Sequence, residues 1–174
     1  MGRSFTIHKG KKSQVENFIH ARAKMLDELK SAQHRLEEVD EMDSVLYIND
    51  SSATSVMSTL DSIRCISDPI IWILVATQYD RDFILLSKIV RHKVKSIIVL
   101  GVEAQDVSSA LGGGVDKFIV AENMNEAILE AKGIAKTGDV VLFSPSAPAG
   151  RFYSDVNERG EDFKEKVAQL RGRL

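Results

Sequence analysis

Two periods of hydrophobicity divide this chain. From Gln14 to Ala32 the apolar residues Val15, Phe18, Ile19, Met25, Leu26 and Leu29 recur every three or four positions among Lys, Glu, Asp and Arg, which predicts one amphipathic helix with an adhesive face. Arg22 falls inside that face, where its aliphatic stem can lie along apolar surface while the guanidinium reaches water. Two short strand-like runs follow, at 36–42 and 45–48, and the turn-forming Asp43-Ser44 between them predicts an antiparallel hairpin. Beyond it the runs become continuously apolar: 69–75 (PIIWILV), 96–100 (SIIVL), 117–120 (KFIV) and 139–143 (DVVLF). Such runs suit parallel strands buried on both faces.

Helical segments at 55–64, 83–91, 104–111, 123–136 and 158–170 separate or follow these runs. The alternation predicts an α/β fold: a three-layer, Rossmann-like domain with a mostly parallel sheet, right-handed crossovers and the antiparallel hairpin at its N-terminal edge. Trp72 is expected in the core. The glycine run Gly112–Gly114 is expected to end a helix, where a positive φ is useful. The expected organisation is a tail and amphipathic helix over 1–33, then one domain over 34–174.

Composition narrows the chemistry. The 174 residues suffice for one domain with a core that needs neither disulfide nor metal. A net charge of -2 with interspersed signs provides no basic field for nucleic acid or an anionic membrane. Cys65 is alone, and no apolar run approaches the roughly 20 residues that span a bilayer. The N-terminal MGRSFTIHKGKK lacks an apolar stretch behind its charges, so the expected location is the cytoplasm. Lys9-Gly10-Lys11-Lys12-Ser13 lacks the first glycine and the preceding strand of a phosphate-binding loop. His8, His20, His34 and His92 are not spaced as metal ligands, and there is neither a CxxC pair nor a Ser-His-Asp grouping. The expectation is therefore no catalytic residue, no metal and no cofactor for the chain by itself.

In an open α/β sheet, ligands gather beyond the carboxyl ends of the strands, and there the sequence is most distinctive. The stretch 140–163, VVLFSPSAPAGRFYSDVNERGEDF, follows the frame SPACASFDxFxNFxxRGxxF, with Ser144-Pro145, Arg159-Gly160 and Phe163 in place. His34-Arg35 opens the domain, and Asn49-Asp50-Ser51-Ser52-Ala53-Thr54-Ser55 matches DSKATN, in frame from Asp50, between hairpin and helix. On these motifs residues 34–170 resemble the C-terminal domain of the Mur ligase family, in the branch that joins D-glutamate to UDP-N-acetylmuramoyl-alanine during peptidoglycan biosynthesis. The resemblance implies the fold type of that domain, and a nucleotide-side role for Arg35 and for Asp50 at a ribose.

The resemblance also marks what has changed. A lysine that contacts the incoming amino acid in the family is Ser52 here, and a second lysine, in a glycine-containing loop, falls on Tyr79. Ala149 stands for a serine that binds the D-glutamate carboxylate, Gly150 for a bulky apolar residue and Val156 for an aromatic. The substrate-side remnants are then His34, Asn49, Ser51, Ser52, Thr54, Tyr79, Ser144, Ala149 and Arg151, the last a candidate new cation. Read without the resemblance, His34-Arg35 is an exposed strand start, Asp50, Ser51 and Thr54 cap the helix beginning near Ser55, and Asp80, Arg81 and Asp82 are a solvated helix start.

Three functions are open: a non-catalytic relative that binds a partner or another ligand, a fragment or subunit of an ATP-dependent ligase, or a sensor that kept Arg35 and Asp50. ATP and magnesium enter only if a separate ATPase domain is present. The stripe of Val15, Phe18, Ile19, Leu26 and Leu29 would fold back on the sheet, pair with a second copy, or bind another protein.

Overall fold

Side chains that alternate along six strands build two cores, one on each face of a single sheet. The computed structural model describes residues 33–75, 82–101, 104–150 and 152–172, so the amphipathic stretch at 14–32 lies outside the described residues. The strands are β1 (Glu37–Met42), β2 (Val45–Asn49), β3 (Ile70–Val75), β4 (Val94–Leu100), β5 (Lys117–Ala121) and β6 (Val140–Phe143). The helices are α1 (Val56–Cys65), α2 (Ser87–Lys93), α3 (Gln105–Leu111), α4 (Met124–Ile134) and α5 (Val156–Arg171). No helix among the described residues is long and apolar enough to cross a membrane.

The strand order is β1-β2-β6-β3-β4-β5. β1 pairs antiparallel with β2, and every other pair is parallel, as the hydrophobic pattern predicts. Asp43 (φ 53°) and Ser44 (φ 57°) both adopt the left-handed conformation between the paired Met42 and Val45. That is the two-residue hairpin turn whose twist matches its strands. β6, the last strand in sequence, inserts between β2 and β3, so the chain reverses direction across the sheet there. On one face Ile70, Trp72 and Leu74 of β3 pack with α1, α2 and α3; on the other Ile71, Ile73 and Val75 pack with α4 and α5. Trp72 is fully buried.

Three expectations change. The run 117–120 is not buried on both faces: β5 is the sheet's outer strand, Val120 is 46% exposed, and Phe118 and Ile119 are half-buried. The glycines 112–114 take no positive φ but continue α3 as a 3-10 turn. Gly114 is small for packing, since a Cβ there would stand 3.0 Å from the Arg91 stem, whereas one on Gly113 would meet nothing within 4 Å. The segment expected as a helix from 83 begins as a 3-10 turn, Phe83–Leu86, and becomes α2 only at Ser87.

Candidate functional site

The polar residues of the signature meet at the carboxyl edge of the sheet, where β2 and β6 end side by side. Asn49 ends β2 and pairs with Phe143, the end of β6. Asp50 follows, its N–H donating to the Phe143 carbonyl at 2.8 Å. Its carboxylate turns inward: one oxygen accepts from the Leu36 N–H (3.3 Å) and the other from the Ser144 hydroxyl (2.7 Å). Because Ser144 donates there, its oxygen is left to accept from Thr59 of α1 at 2.8 Å. The Ser144 carbonyl accepts from the Trp72 indole at 2.7 Å. Burial pushes the Asp50 carboxyl above its usual range, opposed by the Ser62 and Ser144 hydroxyls, the Leu36 N–H and the positive charge of Arg35.

A second set of contacts ties α5 to this edge. Asp155 caps the helix by accepting from the N–H groups of Asn157 and Glu158, which aims Arg159 and Gly160 at the 49–51 segment. Arg159, 1% exposed, donates to the Ser51 carbonyl (2.7 Å), the Ser51 hydroxyl (3.2 Å) and the Ala147 carbonyl (3.0 Å). Burial pulls its guanidinium down to about 10. Ser51 in turn donates to the Val156 carbonyl at 2.6 Å.

Gly160 faces His34, and an added Cβ would stand 2.1 Å from its Nδ1. The Asn49 side-chain oxygen accepts from the Ser51 N–H (3.1 Å), which fixes its amide nitrogen toward the Glu37 carboxylate (3.0 Å) and His34 Nδ1 (2.9 Å). Nδ1 is therefore an acceptor and the ring proton sits on Nε2, which is buried without a hydrogen-bond partner, 3.6 Å from the Glu161 carboxylate. Burial works against the Glu37 charge, yet Lys164, the His34 N–H and Asn49 hold its carboxyl below the usual value.

The sequence-derived residues divide accordingly. His34, Asn49, Asp50, Ser51 and Ser144 come together, each 0–1% exposed. His34 is thus not an exposed strand start, although Arg35 is exposed. The cap of α1 is not Asp50, Ser51 or Thr54 but Ser55, which forms a reciprocal capping box with Ser58. Asp50 and Ser51 are committed to β6 and α5, and the local turn is made by Asn49 instead. Ser52 is half-buried and fixed by its N–H to the His34 carbonyl (2.9 Å), Ala149 and Val156 are half-buried, and Thr54 is exposed. Tyr79, Arg151, Asp80 and Arg81 lie outside the described residues. Sequence reasoning gave no role to Arg159, Gly160, Glu37 or Thr59; the retained Arg-Gly pair was the available signal. Among the described residues no group of His, Cys, Asp and Glu is placed to hold a metal ion.

The family "Mur ligase, glutamate ligase domain" matches residues 34–147. The UDP-N-acetylmuramoylalanine--D-glutamate ligase of Salinibacter ruber is 37% identical over 137 residues, 79% of this chain and 30% of that protein. That of Christiangramia forsetii is 34% identical over 162 residues, 91% of this chain and 36% of that protein. The chain thus spans about a third of the length of the curated relatives it matches. Among solved structures, UDP-N-acetylmuramate-alanine ligase MurC of Thermotoga maritima aligns with a TM-score of 0.55 at 13% identity, covering 90% of this chain and 36% of its own. A domain of a ligase from Haemophilus ducreyi aligns at 0.51 and 17% identity, covering 78% of this chain and 98% of its own. Sequence and fold agree: the chain belongs to the Mur ligase family, as a domain of its C-terminal type.

Proposed function

We propose that this domain is a non-catalytic relative of the D-glutamate-adding ligases that works as a binding or interaction module. The observation that supports this is a division within the signature. The polar side chains it keeps, His34, Asn49, Asp50, Ser51, Ser144 and Arg159, are at most 1% exposed and are engaged with one another, with neighbouring backbone or, for His34, against Gly160. The described positions that the resemblance assigns to the amino acid, Ser52, Ala149 and Val156, offer one hydroxyl and no charge. A carboxylate draws about 1.5–3 kcal/mol from each charge-assisted hydrogen bond, so losing such donors removes most of its affinity. At the nucleotide side, both oxygens of Asp50 already accept hydrogen bonds from the protein.

With ATP, UDP-N-acetylmuramoyl-alanine and D-glutamate, the purified chain is expected to release no phosphate above a blank. Its calorimetric affinity for D-glutamate is expected to be weaker than about 100 μM, roughly 5.5 kcal/mol of binding. Phosphate release stimulated by D-glutamate would overturn the reading. Ligand-observed NMR with ATP, UDP-sugar precursors and D-amino acids then identifies which ligand class, if any, the edge retains.

A second reading is favoured by the 37% identity over a segment that is 30% of a curated ligase. In it the chain supplies the third part of an ATP-dependent amide-forming enzyme, with ATP and magnesium held by a separate ATPase domain. Mixing the chain with the remaining ligase domains and recovering D-glutamate-dependent phosphate release would select that reading.

A further inference from the structure

We propose that the cavity between the β1-β2 hairpin and the end of α4, at the amino edge of the sheet, binds a small organic carboxylate. It lies at the opposite ends of the strands from the cluster of His34, Asp50 and Arg159, since Val45, in its wall, begins β2 whereas Asn49 ends it. Its volume is about 410 Å³, at the small end of the roughly 300–1,000 Å³ usual for ligand cavities. Met42, Val45 and Ala135 give it an apolar wall, and Tyr47 joins them in the core between sheet and helices.

The Tyr47 hydroxyl carries the inference. Tyr47 is 2% exposed, yet its hydroxyl makes no hydrogen bond with any described residue. A buried tyrosine ordinarily finds such a partner, and a phenylalanine would pack the same core without the cost of an unmade bond. Burial pushes the hydroxyl above its usual range, and the negative charges of Asp43 and Asp40 push the same way. The oxygen therefore lies toward the turn of the hairpin, where Asp43 lines the cavity, and at neutral pH it is a protonated donor. Asp40 is engaged elsewhere, by the Arg171 Nε at 2.6 Å.

Charge selects the ligand. Lys132, half-buried, and Lys136 line the same cavity, and neither ammonium has an ion pair among the described residues. Asp43 is the only acid in the lining, so two ammonium groups against one carboxylate leave one net positive charge. The negative end of the α4 dipole accounts for Lys132 in the last helical turn, but not for a donor hydroxyl facing the same space. A carboxylate on an apolar body satisfies all of these groups: its charge meets the lysines, one oxygen accepts from Tyr47, and its body lies on Met42, Val45 and Ala135. A cation would face two ammonium groups, and a neutral ligand would leave them without a counter-charge. The inference does not depend on whether the domain binds D-glutamate or takes part in a ligase, since none of these residues belongs to the carboxyl edge.

Amide NMR of the isotope-labelled full chain, titrated with benzoate and with isovalerate, tests this with one aromatic and one aliphatic body. Saturable shifts are expected at residues 43–47 and 132–137, half-complete at about 1 mM for at least one of the two acids. Benzyl alcohol, which has the ring without the charge, is expected to bind at least about tenfold more weakly than benzoate. Tyr47→Phe removes only the hydroxyl and should weaken the acid that binds about tenfold, and Lys132→Gln by a similar factor. Thermal melting provides a control on the fold: Tyr47→Phe should melt no lower than wild type, because the hydroxyl it removes has no partner in the protein. No saturable shift with either acid, shifts centred on 49–51 and 159–160, equal affinity for benzyl alcohol, or equal affinity of wild type and a folded Tyr47→Phe would each overturn the proposal. A Tyr47→Phe variant that melts well below wild type would also overturn it, by showing that the hydroxyl serves the fold.

Discussion

A Cβ on Gly160 would meet three atoms of the His34 imidazole at 2.1 to 2.8 Å, and His34 is held on its other side by Asn49. Gly160→Ala is therefore expected to destabilise the domain by about 1–3 kcal/mol in urea denaturation, by overpacking. Gly133, in α4, has nothing within 4 Å of the same added atom. Gly133→Ala should stabilise by about 0.5–1 kcal/mol, through helix propensity. Asp50 makes an equally local prediction with a sign. Its folded carboxyl lies above its ordinary value, chiefly through burial. The stability contributed by its protonated form is then full below about pH 3.9, the unfolded value, and is lost as pH rises from there through the raised folded value. Asp50→Asn cannot ionise, so its stability relative to wild type should rise across that window and level off above it. A pH-independent difference between the two proteins in thermal or urea unfolding would contradict this account.

At the scale of elements, α5 is docked through the buried Arg159 as well as through Phe163, Val167 and Leu170. Arg159→Met leaves the Ser51 and Ala147 carbonyls without their donors, and is expected to cost about 2–6 kcal/mol at 1–3 kcal/mol per unsatisfied buried group. Arg159→Lys should not restore the loss, since an ammonium cannot span the carbonyls that the planar guanidinium joins. Circular dichroism on thermal melting reads both. β5 offers a contrast within one register: Val99→Lys places a charge in the core, whereas its partner Val120 lies at the sheet's edge. Val120→Lys should shift stability by no more than about 0.5 kcal/mol, and Val99→Lys should prevent folding, as soluble expression would show.

These elements also show where the sequence is legible. The apolar runs at 69–75, 96–100 and 139–143 announce central parallel strands because they have no polar face, and Asp43-Ser44 announces the hairpin because few residues accept two positive φ values. Edge and centre are not distinguished by KFIV alone, since exposure of β5 depends on which strand has no neighbour. The site is less legible for a related reason. A buried Asn-Asp-Ser segment and a surface cap have the same composition, and the choice is made by Arg159, Gly160 and Ser144, about a hundred residues away in sequence.

For the whole molecule, the decisive features are long-range. β6 is the last strand along the chain yet sits between β2 and β3. The groups that neutralise the polar floor beneath His34, Asn49 and Ser51 belong to α5, after it. Order of synthesis then constrains order of folding. As the chain emerges from a ribosome, the β3-β4-β5 portion can assemble with its crossover helices, but the hairpin has no sheet to join until residues 140–143 appear. Just after it, the Ser51 hydroxyl does not meet its α5 partners, the Val156 carbonyl and Arg159, until about residue 160 appears. A nascent chain stopped near residue 150 should thus remain protease-sensitive over 37–51 while 70–121 is already protected, and both regions should become protected together once α5 has been extruded. The polar cluster at the strand ends is in this sense a timing device, which keeps the first-made part of the domain waiting for the last.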